Sequence, residues 1–336
     1  MKFSILNYGL SLAVLLLLVS CFEKDEAVNP YPGEVFTIES NINEYLSYFN
    51  FETNEVKIVF ALEDWQLAFE PDNEGWHILV NSGANWFILN TGQQDMGALY
   101  SDNEPANWHY DIQSRYPDST AVGNWTFLQN DLREYTNEVY ILGRLSANQY
   151  TQRKQIRFFY VDNEIYRFHY IDEETGIQDT VTITKNDSTA FVYYNFIGQN
   201  QLNPEPKKTQ YDIVFCTYYD LATLFGVTIP YLVRGVLLNT SGVQAVCDSV
   251  TTYDQVRYET LGQYEFSGQR DVIGYRWKDV SVDINAGSAG YTVHRNMNYI
   301  VKTLEGNYYK MRFLSFSMDG ESGFPQFEYT LLQPVN

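Results

Sequence analysis

Apolar and polar residues alternate in short runs along most of the chain, and long helical periodicity is nearly absent. One set of runs occurs twice. The first copy passes from Tyr48-Phe49-Asn50-Phe51, through Asp64-Trp65-Gln66-Leu67-Ala68-Phe69, to Ile78-Leu79-Val80-Asn81-Ser82-Gly83. The second passes from Tyr193-Tyr194-Asn195-Phe196, through Tyr211-Asp212-Ile213-Val214-Phe215, to Val236-Leu237-Leu238-Asn239-Thr240-Ser241-Gly242. Each reads as an aromatic strand, an alternating strand opened by an aromatic and an acidic residue, and an apolar strand closed by Asn and small residues. A second pair agrees. Val161-Asp162-Asn163-Glu164-Ile165-Tyr166-Arg167-Phe168 matches Leu304-Glu305-Gly306-Asn307-Tyr308-Tyr309-Lys310-Met311-Arg312-Phe313, each a hairpin turning on Asn. The offset drifts with loop length, as in two related units rather than a tight solenoid.

These runs predict an all-β fold of two tandem antiparallel β-sandwich-like domains, residues 34–188 and 189–336, divided at Lys185-Asn186-Asp187-Ser188. In the first, closing strands fall at 139–142, 155–161, 165–170 and 180–184, after a polar loop over 91–124. In the second, residues 248–290 are glycine-rich and loop-like before the closing strands. Only residues 42–48 and 222–227 offer short helical turns.

Ahead of the domains, residues 1–20 form a signal peptide. Lys2 supplies a positive start, and the apolar run over 10–19 is too short to span a bilayer comfortably. Leu18-Val19-Ser20-Cys21 resembles a lipobox, which implies acylation of Cys21 and anchorage to a lipid bilayer. Phe22-Glu23-Lys24-Asp25-Glu26 resembles the acidic tag of surface-exposed lipoproteins, implying an outer-membrane anchor facing the cell exterior. Residues 21–33, with Pro30 and Pro32, are the tether.

Composition supports strands, since the 28 Tyr and 21 Phe suit half-buried pleated surfaces. The net charge of −20 excludes nucleic acid as a partner, because no basic stripe offsets phosphates. With Cys21 acylated, Cys216 and Cys247 remain. A disulfide between them would add roughly 3–4 kcal/mol by loop entropy; two free thiols are the other reading. No cysteine or histidine spacing suggests zinc.

The repeated aromatic strand, Asp64-Trp65-Gln66-Leu67-Ala68-Phe69 leading to Leu79-Val80-Asn81, and Tyr299-Ile300-Val301-Lys302 with the last hairpin together resemble the HmuY family of Bacteroidota surface lipoproteins. The resemblance covers nearly the whole mature chain as two copies. It implies an all-β fold, a lipid anchor and, as in the family's haem carriers, capture of haem or a related porphyrin for a TonB-dependent outer-membrane transporter. Haem iron takes an axial donor such as His or Met. Residues 248–290, where relatives place theirs, hold neither, so no ligand carries over by position. The candidate ligands are His294, Met297 and His109; His77 and His169 read as structural.

Enzyme signatures are lacking. Ala286-Gly287-Ser288-Ala289-Gly290 misses the first glycine of a nucleophile elbow, Gly320-Glu321-Ser322-Gly323 has the wrong spacing, and there is no phosphate loop or His-Glu-x-x-His. The expectation is non-catalytic binding. An alternative is a glycan- or protein-binding accessory lipoprotein in which Trp108 and Trp125, both read as loop residues, stack on a sugar or flat ligand; a purely structural surface protein is a third.

Overall fold

The computed structural model describes residues 33–101, 107–224, 226–283 and 288–334. Cys21 and residues 1–20, read above as a signal peptide, lie outside the described residues. In chain order the strands are β1 (Glu34–Thr37), β2 (Tyr45–Asn50), β3 (Glu55–Ala61), β4 (Leu67–Phe69), β5 (Ile78–Val80) and β6 (Trp86–Asn90). Short strands β7 (Trp108–His109), β8 (Thr126–Gln129) and β9 (Leu132–Tyr135) follow. A meander is built from β10 (Tyr140–Ser146), β11 (Gln149–Val161), β12 (Ile165–Asp172) and β13 (Gln178–Thr184). Then come β14 (Val192–Asn195), β15 (Asn200–Leu202), the long hairpin of β16 (Ile213–Leu224) and β17 (Val227–Leu238), and β18 (Gln244–Asp248). The chain closes with β19 (Lys278–Asp283), β20 (Ser288–Val293), β21 (Asn298–Lys302), β22 (Tyr308–Met318) and β23 (Glu321–Leu332).

Every pairing between these strands is antiparallel. The all-β antiparallel class therefore holds. The short helical turns read at 42–48 and 222–227 are instead a turn leading into β2 and the tip of the β16–β17 hairpin.

The division at 188/189 is crossed by hydrogen-bonded sheets, and the chain from Gly33 onward is one compact unit. Sheets run β1-β23-β22-β21-β18, β13-β12-β11-β10-β6-β7, β15-β14-β4-β5 and β17-β16-β2-β3. Three of these four mix strands from both copies. The physical reason is an exchange. The aromatic strand of the first copy, β2, pairs with β16 of the second, whereas the aromatic strand of the second, β14, pairs with β4 of the first. The hydrogen bonds repeat under that exchange. Asp212 N–H donates to Phe49 O and Phe51 N–H to Asp212 Oδ2, each at 2.9 Å. Gln66 N–H donates to Tyr194 O at 3.0 Å and Phe196 N–H to Gln66 Oε1 at 2.7 Å.

The closing asparagines explain themselves in the same way. Asn81 Nδ2 donates to Leu62 O (2.6 Å) and Trp65 O (2.8 Å), and Asn239 Nδ2 to Lys208 O (2.6 Å) and Tyr211 O (2.8 Å). Each Oδ1 also accepts a backbone N–H, from Ala84 or Ser241. Only a primary amide offers two donors and an acceptor at this reach. Gly83 follows Asn81 because a Cβ there would meet Thr217 O of β16.

Strand alternation feeds two cores from one sheet. In β16, Val214 and Cys216 join Tyr48 and Leu237 in the larger core, under the meander. Ile213 and Phe215 point the other way, with Phe49, Val236 and Leu238, onto the five-stranded sheet around Met311, Phe313 and Phe327. The β17-β16-β2-β3 sheet is thus buried on both faces where these strands overlap, which is why Ile213–Cys216 of β16 and Val236–Leu238 of β17 run apolar without interruption.

Candidate functional site

Beyond Leu232 the hairpin β16–β17 leaves this two-sided packing, and a cleft of about 460 Å³ opens between it and the β19–β20 hairpin. A small-molecule site falls in this size range. Tyr231 and Arg234 of β17, Tyr275 before β19, Lys278 and Asp279 of β19 and Tyr291 of β20 line it. Tyr231 and Tyr275 pack against the larger core and Tyr291 against the other, so the cleft sits where the two cores meet the surface.

Two cations are fixed there. Arg234 Nε donates to Asn43 Oδ1 at 2.8 Å. Lys278 Nζ donates to Arg234 O at 2.5 Å and lies 3.9 Å from the Trp277 ring centre and 4.5 Å from that of Phe316. Trp277 is itself clamped, stacked on Phe313 at 3.8 Å with its indole N–H on Gly274 O. Burial, reinforced by the neighbouring Arg234 charge, pulls the Lys278 amine down to about 7. Among the described residues no carboxylate is ion-paired to either cation; Asp279 is engaged instead by His294 Nε2 at 3.1 Å. Such a cleft presents aromatic faces, phenol hydroxyls and positive charge, in a chain whose net charge is −20.

His294 does not itself line the cleft but touches it through Asp279; it is half-buried, its backbone N–H held by Trp277 O at 2.8 Å. Met297 is not beside it in function: its side chain packs into the smaller core. His109 is exposed on β7, in the six-stranded sheet that takes no part in the cleft. No cluster of three His, Cys, Asp or Glu side chains suited to a metal ion occurs among the described residues. His77 Nδ1 is hydrogen-bonded to Glu70 Oε2 at 2.7 Å, and His169 meets Thr180, as structural residues do.

The two tryptophans read as ligand platforms are core residues. Trp108 is buried and stacks on Tyr150 at 3.7 Å, and Trp125 is 0% exposed with its indole N–H on Trp76 O. Their segments cross the surface, but the side chains are the anchors that hold those segments down. The disulfide does not form either: both thiols are free. Cys216 faces the larger core from β16, whereas Cys247 is exposed on β18, a strand of the other core's sheet. Sequence reasoning missed Arg234, Lys278 and the three tyrosines. Their one signal was the aromatic and basic run Tyr275-Arg276-Trp277-Lys278 inside an acid-rich chain.

The described residues form an antiparallel all-β architecture that carries an aromatic- and cation-lined cleft. Within that class the chain belongs to the HmuY family, whose model, described as HmuY protein, matches residues 43–329. No curated protein matches it. Among solved structures it is similar to the apo HmuY analog of Tannerella forsythia, with 10% identity, 92% of this chain and 100% of that chain covered, and a TM-score of 0.24. It is similar also to a Bacteroides vulgatus protein described as HmuY-like (18% identity, 52% and 90% covered, TM-score 0.19) and to apo PinO from Porphyromonas gingivitis (16%, 50% and 91%, TM-score 0.18). No helix among the described residues is long and apolar enough to cross a membrane.

Proposed function

We propose that the protein is a non-catalytic surface lipoprotein that captures a flat, anionic aromatic ligand of the tetrapyrrole class, haem included, in the cleft between β17 and the β19–β20 hairpin. One observation carries this reading: Tyr231, Tyr275 and Tyr291 converge with Arg234 and Lys278, neither cation ion-paired to a carboxylate of the described residues. The aromatic rings would flank a macrocycle, and the two cations would take its carboxylates. The donor set suits haem iron, because a tyrosine hydroxyl beside positive charge and the His294 imidazole are both axial-ligand types. When bound, haem would supply the iron; the chain's own residues hold and orient it and restrict water. Membership of the HmuY family and the lipobox at Cys21 support an outer-membrane anchor and transfer of the ligand to a TonB-dependent transporter.

The test is a titration of the protein lacking residues 1–21 with haem, followed in the Soret region. We expect a saturable, shifted band, weakened at least tenfold by Arg234→Ala. Loss of the band shift in His294→Ala would locate an axial ligand; survival there with loss in Tyr275→Phe or Tyr291→Phe would move it to a phenol. A spectrum no different from free haem would refute the reading. Cys21→Ala should release the protein from membranes, and a variant still anchored and uncleaved would refute the lipid anchor.

A further inference from the structure

A second cleft, of about 430 Å³, is lined by Glu70, Asp72, Tyr116, Lys208, Ser241 and Arg270 among others, and shares no residue with the first. At its floor Arg270 is held unusually firmly. Its carbonyl accepts Leu238 N–H at 2.7 Å, and the segment is laced to β17 and β18 on either side by paired bonds, Gly274 with Val236 at 3.0 Å and Ser267 with Ala245 at 2.9 Å. The guanidinium lies over Tyr116 (5.6 Å) and Phe191 (5.4 Å), and Nη1 donates to Gln113 Oε1 at 2.5 Å. Among the described residues it has no ion-paired carboxylate, and its Nε is buried without a hydrogen-bond partner. The acids nearest in charge are already spent. Asp111 accepts Val80 N–H and Ala121 N–H, and Glu205 accepts two tyrosine hydroxyls and two backbone N–H groups. A guanidinium carries five donors in a planar fork. Among the described residues only one of them, on Nη1, has a protein acceptor.

The lining also carries two acids, Glu70 and Asp72. Glu70 accepts from His77 and Trp76, and exposed Asp72 pairs with Lys208 at 3.2 Å. A simple dianion would meet these carboxylates as well as the net charge of −20. A ligand that pairs a single carboxylate with hydroxyl or ammonium donors suits both charges, carboxylate to the guanidinium and donors to exposed Asp72 and the Ser241 side. We infer that this second cleft binds a small monocarboxylate bearing hydrogen-bond donors, a sugar acid or an amino acid, with Arg270 as its carboxylate anchor.

Calorimetric titration of the protein lacking residues 1–21 with glucuronate, glucose and serine tests this. We expect saturable binding of glucuronate, serine or both, and none of glucose, since the neutral sugar lacks the group Arg270 recognises. Glucuronate alone marks a sugar-acid site and serine alone an amino-acid site. Arg270→Lys keeps the charge but loses the fork, and should weaken binding at least tenfold. Ser241→Trp, on the exposed rim, blocks the cleft without touching Arg270 and guards against a folding defect in the first variant. Failure of both glucuronate and serine to bind, glucose binding as well as glucuronate, or binding that survives Ser241→Trp would overturn the inference. The Soret titration of Arg270→Lys should match that of the unmodified chain, so the fate of this site and of the tetrapyrrole cleft are read separately.

Discussion

Glu205 is the place to strike the fold. It is buried, and four donors converge on it. Tyr48 donates its hydroxyl to Oε1 at 2.8 Å, Tyr193 donates to the same oxygen, and the N–H groups of Ala190 and Phe191 reach Oε2 at 3.0 Å each. Tyr48 and Tyr193 open the two repeated aromatic strands, so one carboxylate ties together the strands that the copies exchange. Burial raises its carboxyl above the ordinary range, against the pull of the tyrosine and backbone hydrogen bonds. Glu205→Ala would strand those four donors. A buried donor without a partner costs about 1–3 kcal/mol. The adjoining void, about 50 Å³ and lined by Tyr48 and Tyr193, has room for water. One or two waters would rescue some of the donors, and relief of the buried acid's desolvation offsets part of the rest. A net loss of about 3–5 kcal/mol remains, a large share of a typical stability of about 5–15 kcal/mol. Urea unfolding followed by tryptophan fluorescence at pH 7 should show a lower midpoint at unchanged slope. Tyr48→Phe and Tyr193→Phe should each cost about 1 kcal/mol alone and nothing when added to Glu205→Ala. A loss below about 1 kcal/mol in Glu205→Ala, or tyrosine effects that simply add to it, would refute the hub.

Two further tests address particular groups. Asp212 is pushed up to about 7, first by burial, then by Glu305 and Glu52 against the opposing hydrogen bond from Phe51 N–H. Its raised carboxyl binds a proton more tightly folded than unfolded, so its contribution is complete below about pH 4 and is lost as pH rises through about 7. Gln66 does the same work as a neutral amide in the other copy, so Asp212→Asn should be more stable than the unmodified chain at pH 8 and show a flatter profile from pH 4 to 8; parallel profiles would count against this assignment. For the thiols, the folded protein lacking residues 1–21 should react with a maleimide at Cys247 alone and at Cys216 only in denaturant, checked by peptide mass; labelling of Cys216 in the folded protein would contradict its burial.

Much of the fold was legible in local pattern. The aromatic, alternating and Asn-terminated runs of both copies became β2, β4 and β5, and β14, β16 and β17. Asn81 and Asn239 could be matched by eye because each closes an apolar strand and caps the turn after it through Oδ1, although their Nδ2 bonds reach distant carbonyls. The candidate sites were less legible. Trp108 and Trp125 occupy segments rich in turn residues, and such segments look exposed in sequence, whereas indoles on them were spent on anchoring. Cys216 and Cys247 each lie in a strand, but strand parity does not reveal which core each face will meet. Of the candidate haem ligands only His294 came to rest beside the first cleft, and the tyrosines and cations that shape that cleft come from three separate stretches of chain.

The amino-acid sequence by itself determined the β character, the duplication and the local turn chemistry, because period-two burial and side-chain-to-backbone bonds act over a few residues. Only the tertiary structure decided that the copies trade their aromatic strands, that one sheet serves two cores, and that Arg234, Lys278 and Arg270 face clefts. Those outcomes depend on which distant strand completes each hydrogen-bonded ladder, and equivalent copies offer two partners of nearly equal local fit.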